Sequence, residues 1–509
     1  MGVHRLSKHR EVVRPREICE QQSRSAAIAR NFASDAFPDW ESSLNDRLEF
    51  VERDFDENIL PALSEFVSIP NMSPAFDPGN DTIDETEKVI RLVSSWTVQH
   101  CPEAQVSVLR KPGLWPLMLI DVPGTSDSSV LCYAHLDKQP PMRGWREGLS
   151  SRSPVVEGRK LFGRGAVDDG YAAFAYLSAL RALARERKPR PRCLLVLETT
   201  EESFSIHLPP YFGDIFNAID NPSLIVCLDS VCGDYERLWY TTSIRGSVVG
   251  NLNVRVLKEG LHSGHGGGIT PSAFRLLTGL INRLEDQQTG VMRDPLFGAE
   301  IPTRAIELLG QAADILQDRV VRDLGLLPGV EPMTSDPLQA LLNQTWRPSL
   351  TVIGLDGLAQ TANAGNELVP EIAAKLSIRL SPTAKSAEAA QKCKQLCEAN
   401  APYNAPVSFD VIAHADGWWC GKFPAWLTSA ANDASLRHFG MPSAPIAVGG
   451  GIPFIKPLAD AFPAAPIFVA GLIGPEANAH GPNESLDIPA CKNLTACLAD
   501  ILEAAASHS

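Results

Sequence analysis

The sequence predicts an α/β protein: a mostly parallel mixed sheet, covered by helices and interrupted by a smaller α+β domain. Three observations carry this reading. Short apolar runs at 130–134, 193–197, 224–228 and 466–470 have the length of buried strands, and a helical pattern separates the first two. The middle of the chain changes rhythm and reads β-α-β-β-α-β, the ferredoxin-like order. The 509 residues exceed one ordinary core.

The elements follow in chain order. Apolar spacing predicts an amphipathic helix over 48–67, ended by Ile69-Pro70, and another over 85–98. An Ala- and Leu-rich helix over 171–187 lies between the first two apolar runs, as a parallel pairing requires. Then come a strand at 248–256, a helix at 271–284, strands at 350–355 and 373–380, a helix at 387–399 and a strand at 407–413. The stretch 285–348 reads as a long irregular insertion. We therefore expect a main domain built from 46–243 and 419–509, with 244–418 inserted as a second domain.

Composition narrows the function. A net charge of -14 argues against nucleic acid, whose phosphates need a basic surface. No run of 18 apolar residues exists to span a membrane. The 11 cysteines include no CxxC pair, and several sit in apolar runs, which fits a reducing, cytoplasmic setting. Residues 1–45 carry Arg5, Lys8, Arg10, Arg14, Arg16, Arg24 and Arg30 with few acids. They read as a disordered extension or a mis-assigned start, with an organelle transit peptide as the alternative.

Candidate ligands stand at the ends of the apolar runs. The first ends in His135-Leu136-Asp137, the second leads to Glu201-Glu202, the third ends in Asp229, and the last leads to His480. Asp168-Asp169 follows Gly163-Arg164-Gly165 and opens the Ala-rich helix. Taken singly, a strand-end His is more often structural and a helix-opening Asp is more often a cap. Together they fall beyond the carboxyl ends of strands, where an open α/β sheet forms its cleft. Two His and several carboxylates without thiolates suit zinc, with manganese or cobalt as substitutes.

The string Tyr133-Ala134-His135-Leu136-Asp137, with Pro140-Pro141 and Gly144-Trp145, resembles the first zinc motif of metallopeptidase family M-20, which includes carnosinase, glutamate carboxypeptidase and aminoacylase. Leu161 to Asp169, Glu201-Glu202-Ser203, Asp229 and Asn478 to Glu484 are similar to its other four motifs. The resemblance implies a zinc-exopeptidase catalytic domain over the main domain and a lid and dimerisation domain over 244–418. It implies two divalent metal ions per subunit, with Asp168 bridging, His135 and Asp229 completing one site, and Glu202 and His480 the other. Asp137 would hold the ring of His135. The Asp168-Asp169 peptide would be cis. Glu201 would be the general base toward a water shared by metals roughly 3.5–4 Å apart, attacking an amide carbonyl and then protonating the leaving nitrogen.

The inserted domain would supply substrate contacts. His262, in Leu261-His262-Ser263-Gly264, resembles a lid His that stabilises the oxyanion across a dimer. Arg379 matches an Arg that grips a substrate carboxylate, and His414 another substrate-side His. Asn366 stands near the position of an expected threonine. In the carnosinase-like branch a Glu precedes Gly-Gly-Ser-Ile-Pro, whereas this chain has Val448 and then Gly449-Gly450-Gly451-Ile452-Pro453, so Gly451 replaces the Ser. These readings imply a dipeptidase or carboxypeptidase-like exopeptidase acting on small peptides, as a homodimer. The alternative is an N-acyl amino acid deacylase. A catalytically inactive binding protein is disfavoured by the intact ligand set.

Overall fold

The computed structural model describes residues 40–79 and 82–508, with the side chains of 40–45 left aside. The first 39 positions of the expected extension lie outside the described residues. Residues 47–509 form one compact unit.

Helix Trp40–Asp54 continues through a π turn at Phe55–Ile59 into helix Leu60–Ser68. Its buried stripe of Phe55, Ile59, Leu63, Phe66 and Val67 is the spacing that predicted a helix here. Strands β1 (Gln105–Leu109), β2 (Leu117–Val122) and β3 (Ser129–His135) lead to helix α1 (Tyr171–Arg185). Strands β4 (Arg192–Glu198), β5 (Leu224–Cys227) and β6 (Trp239–Ile244) follow. Next come β7 (Gly246–Arg255), α2 (Ala273–Leu284), α3 (Thr303–Leu316), β8 (Ser349–Asp356), β9 (Glu371–Leu380), α4 (Ser386–Glu398) and β10 (Val407–Ala415). The chain closes with β11 (Trp418–Trp419), β12 (Ala444–Val448), β13 (Ile467–Val469) and α5 (Ile488–Ala505).

Nine strands form one sheet in the order β1-β2-β4-β3-β5-β13-β6-β11, with β12 beside β6. Its centre, β4-β3-β5-β13, is parallel, and antiparallel strands extend it on either side. Both faces are covered, which explains the unbroken apolar runs. Along β3, Val130, Cys132 and Ala134 pack with Phe174 of α1 and Leu498 of α5. The alternate residues Leu131 and Tyr133 pack with Leu208, Ile215 and Ile455 on the other face.

The second sheet has the order β8-β9-β7-β10, all antiparallel. Val248, Leu252 and Val254 of β7 and Ile372, Leu376 and Ile378 of β9 point to one face, where α2 and α4 cover them. The β-α-β-β-α-β order is present. The stretch 285–348 departs from expectation in part, because helices Thr303–Leu316, Arg319–Arg322 and Pro337–Thr345 interrupt its irregular chain. In α3, Ala305, Leu308, Leu309, Ala312, Ala313 and Leu316 keep helical spacing and are buried. They pack with Trp239 and Ile446 of the large sheet and with Trp346.

Candidate functional site

The cluster is built where the parallel strands end. His135 is the last residue of β3, in register with Glu198 at the end of β4. Its ring is fully buried. Nε2 lies 3.0 Å from Asp168 Oδ1 and 3.8 Å from Asp229 Oδ2. Nδ1 is 3.1 Å from the Asp137 carbonyl and 3.6 Å from its carboxylate, so this ring nitrogen faces an acceptor and Nε2 faces the cluster.

Asp137 also shapes the turn opposite. Its carboxylate accepts the backbone N–H groups of Glu201 at 3.1 Å and Glu202 at 3.0 Å. Those residues open a one-turn helix, Glu201–Ser203, at the end of β4. One buried acid thus fixes both a ligand candidate and the base candidate.

Asp168 sits in a tight turn, Ala166–Gly170, and its peptide to Asp169 is cis, as the resemblance implies. Gly165 ahead of it has φ +81°, and a Cβ there would meet the Lys138 side chain at 2.6 Å, so glycine is required twice over. The two oxygens of Asp168 face two different imidazoles: Oδ1 meets His135, and Oδ2 lies 2.8 Å from His480 Nε2. His480 is exposed, in left-handed backbone with φ +64°. Its Nε2 is also 3.3 Å from Glu202 Oε2, which accepts the Gln139 amide N–H at 2.6 Å.

The electrostatics call for cations. Among the described residues, no Lys or Arg pairs with Asp168, Glu201, Glu202 or Asp229. Burial and the Asp168 charge push Glu202 up to about 8 and Asp229 up to about 6. Burial and Asp229 hold Glu201 well above the carboxylate range. Burial also opposes charge on Asp168, but the two imidazoles overcome it and hold that carboxyl below its usual range. Burial works against the His480 imidazolium, and Asp168 and Glu202 raise it to about 9 regardless. Two groups, His135-Asp168-Glu202 and His135-Glu201-Asp229, have ligand atoms within 4.8 Å of one another and could hold metal. A hard, oxygen- and imidazole-rich set of this kind fits divalent ions.

The remaining candidates fall in three separate places. Arg379 is half-buried, and a Cβ on Gly451 would stand 4.0 Å from its Nη1, so these two are neighbours. His262 is exposed on a two-residue ladder with Glu367, its Nδ1 accepting the Gly264 N–H at 3.0 Å. Asn366 is beside it, its carbonyl accepting the Ser263 N–H at 2.8 Å. His414 hydrogen-bonds Ser386 through Nδ1 at 3.0 Å. Among the described residues, none of their hydrogen bonds reaches the His135-Asp168-Glu202 cluster.

Three supports escaped the sequence. Arg164 ion-pairs with fully buried Glu484 and donates to Pro140 O at 3.2 Å and Gly481 O at 2.8 Å, tying three motifs together. Glu484 accepts the Gly165 N–H at 2.8 Å as well. Glu198, which burial pushes up to about 7, accepts from the Tyr133 hydroxyl and from Ser205 at 2.8 Å, locking the turn after β4. Arg245 donates to Gly449 O at 3.0 Å and shapes the glycine loop. Arg164 and Glu484 stand inside motif strings, but their 320-residue separation gave no sign of pairing.

The description "Peptidase family M20/M25/M40" matches residues 131–504. The chain is 25% identical over 470 residues to the cysteinylglycine-S-conjugate dipeptidase of Corynebacterium striatum, covering 88% of this chain and 95% of that one. It is 25% identical over 294 residues to the Beta-Ala-His dipeptidase of Mus musculus, covering 56% of this chain and 58% of that one. The solved structure of the dipeptidase Dug1p from Saccharomyces cerevisiae superposes with a TM-score of 0.77 at 19% identity, covering 91% of this chain and 99% of that one, which is a likeness of fold. With the match running across the motif strands and most of the folded part, the chain belongs to peptidase family M20/M25/M40.

Proposed function

We propose that the protein is a two-metal hydrolase of small peptide bonds, a dipeptidase or carboxypeptidase-like exopeptidase. One observation carries the reading: the two oxygens of Asp168 face His135 at 3.0 Å and His480 at 2.8 Å, and each imidazole has a second carboxylate beside it. Asp168 is then the shared ligand, His135 with Asp229 and His480 with Glu202 the flanking pairs. Zinc is the metal the donor set favours, with manganese and cobalt as substitutes. Bound there, two divalent ions supply Lewis acidity, making a water acidic near neutral pH and polarising the amide carbonyl.

The chain's own residues do the rest. Glu201, half-buried beside Asp229, takes the proton of the attacking water and returns it to the leaving nitrogen. Asp137 keeps the His135 ring and the Glu201 backbone in place. Arg379, with no acidic partner among the described residues, offers its guanidinium to the substrate carboxylate beside Gly451. His262 serves the oxyanion of a partner subunit. The four-stranded sheet with its helices acts as the lid and dimerisation domain. Among the described residues ten cysteines are free and nine of these are buried, which supports a reducing, cytoplasmic setting.

Two measurements test the centre. Protein stripped by a chelator is expected to lose dipeptide hydrolysis and recover it with zinc, manganese or cobalt; full activity without metal refutes the reading. Glu201→Gln is expected to keep its metal and lose roughly 10²-fold or more in kcat. Near-normal turnover would remove Glu201 from its role.

A further inference from the structure

A cavity of about 640 Å³ opens beside the turn that carries Glu201 and Glu202. Its wall begins where that turn closes: Phe204 lines it, and the Phe204 N–H donates to Glu201 O at 2.8 Å. Phe204 is two residues past Glu202, at most roughly 7 Å along the chain. Ile206, Pro453 and Phe454 continue the lining, the last two shortly after Gly449-Gly450-Gly451. Ile412 and His414 of β10 line it as well.

Two features set this cavity apart from ordinary surface. Phe204 is held at φ +63°, a left-handed backbone in which a bulky side chain is an outlier, and it is 41% exposed. Ile206 and Ile412 are 50% and 51% exposed. Large apolar side chains converging on one concavity next to a reactive centre are what a ligand's apolar group buries against.

The lining also carries the Lys456–Asp460 ion pair and the polar group of Ser386, His414 and Asp416. Asp416 Oδ1 accepts both the Ser386 N–H at 2.8 Å and the Ser386 O–H at 2.7 Å. With its proton committed to Asp416, the Ser386 oxygen accepts from His414 Nδ1. Nε2 is the His414 ring nitrogen not engaged with Ser386 and can meet a polar group of the ligand.

We propose that this cavity is the specificity pocket of the hydrolase and takes an apolar group next to the scissile amide. The group is either the side chain of a dipeptide residue or the acyl chain of an N-acyl amino acid. The inference rests on the hydrolase reading above.

The test uses full-length, metal-loaded protein and three substrate series: X-Gly and Gly-X with X = Gly, Leu or Phe, and N-acyl-glycines from acetyl to hexanoyl. In one series kcat/KM is expected to rise roughly tenfold or more with the apolar group, and the responding series names its source. Ile206→Asp and Ile412→Asp, both at exposed positions, are each expected to bring the Leu-to-Gly or hexanoyl-to-acetyl ratio within roughly twofold of unity. Hydrolysis without apolar preference, or a preference untouched by both variants, overturns the pocket. If no substrate in the panel is cleaved, the hydrolase reading fails, and thermal shift decides the pocket separately. Leu-Leu should then raise the melting temperature of the metal-free protein more than Gly-Gly, an excess that Ile412→Asp removes. No excess overturns the pocket as well.

Discussion

Proton balance at single residues sets the pH behaviour of the centre. Without metal, burial and neighbouring acids raise Glu202 to about 8 and Asp229 to about 6, while burial raises Glu198 and Glu484 to about 7. A carboxyl raised on folding contributes stability below its unfolded value and loses it as pH climbs through the folded one. His480, raised to about 9 against the pull of burial, has the same sign. Asp168 has the opposite sign, but its window lies below the normal aspartate range and does not interfere at neutral pH. Metal-free protein is therefore expected to show a falling melting temperature from pH 5 to pH 9, and a bound cation should flatten that fall, because it favours the same deprotonated groups. Scanning calorimetry of stripped and loaded protein measures both curves; parallel curves would show that cation and protons do not compete here. Asp137→Asn tests a neighbouring residue. An amide offers one acceptor oxygen where the carboxylate offers two, so the backbone N–H groups of Glu201 and Glu202 cannot both keep their partners, while the Asp137 carbonyl still faces the His135 ring. Metal affinity is expected to drop roughly 10–100-fold, read by competition with a chromogenic chelator.

Between elements, the Arg164–Glu484 pair holds the cage together. It joins the turn before Asp168 to the loop of His480, with both side chains buried. Glu484→Ala leaves Arg164 unpaired in the interior and is expected to cost roughly 3–5 kcal/mol in urea unfolding. It should also lower metal occupancy, because Gly165 and the His480 loop lose a common anchor. A loss of stability with full occupancy would make the pair a general brace rather than a part of the centre. The elements flanking this pair were legible in the sequence because both faces of the central sheet are buried, so each strand is an uninterrupted apolar run with its ligands at one end. The strands and helices of the four-stranded sheet were legible from their β-α-β-β-α-β order. The stretch 285–348 was not, because Gly and Pro between its short helices masked the helical stripe of α3. Contacts such as Arg164–Glu484, Tyr133–Glu198 and Arg379–Gly451 were illegible for another reason: pairing across the fold leaves no local period.

At the scale of the whole molecule, the position of His262 turns the oligomeric state into a mechanistic question. Its ring is exposed and accepts the Gly264 N–H, and among the described residues it makes no hydrogen bond to the cluster. The four-stranded sheet ends in β8, an edge strand whose Val352, Ile353 and Leu355 are exposed and which carries no lysine. An unpaired apolar edge invites a second copy, although the bulge between Val352 and Gly354 blunts it locally. If two copies pair symmetrically, each lid can present His262 to the other's centre. Val352→Lys with Leu355→Lys is then expected to move the sedimenting species from twice the chain mass to the chain mass. Subunit mixing tests the crossing itself. His262→Ala and Glu201→Gln subunits are each expected to be nearly inactive alone. Mixed in equal amounts with free exchange, half the dimers are hybrids, and each hybrid has one site with an intact Glu201 and the partner subunit's His262. Recovery of about a quarter of the wild-type rate is expected for a symmetric dimer with crossing histidines. If His262 instead serves its own chain's centre, every hybrid site lacks either the base or the histidine, and mixing restores nothing.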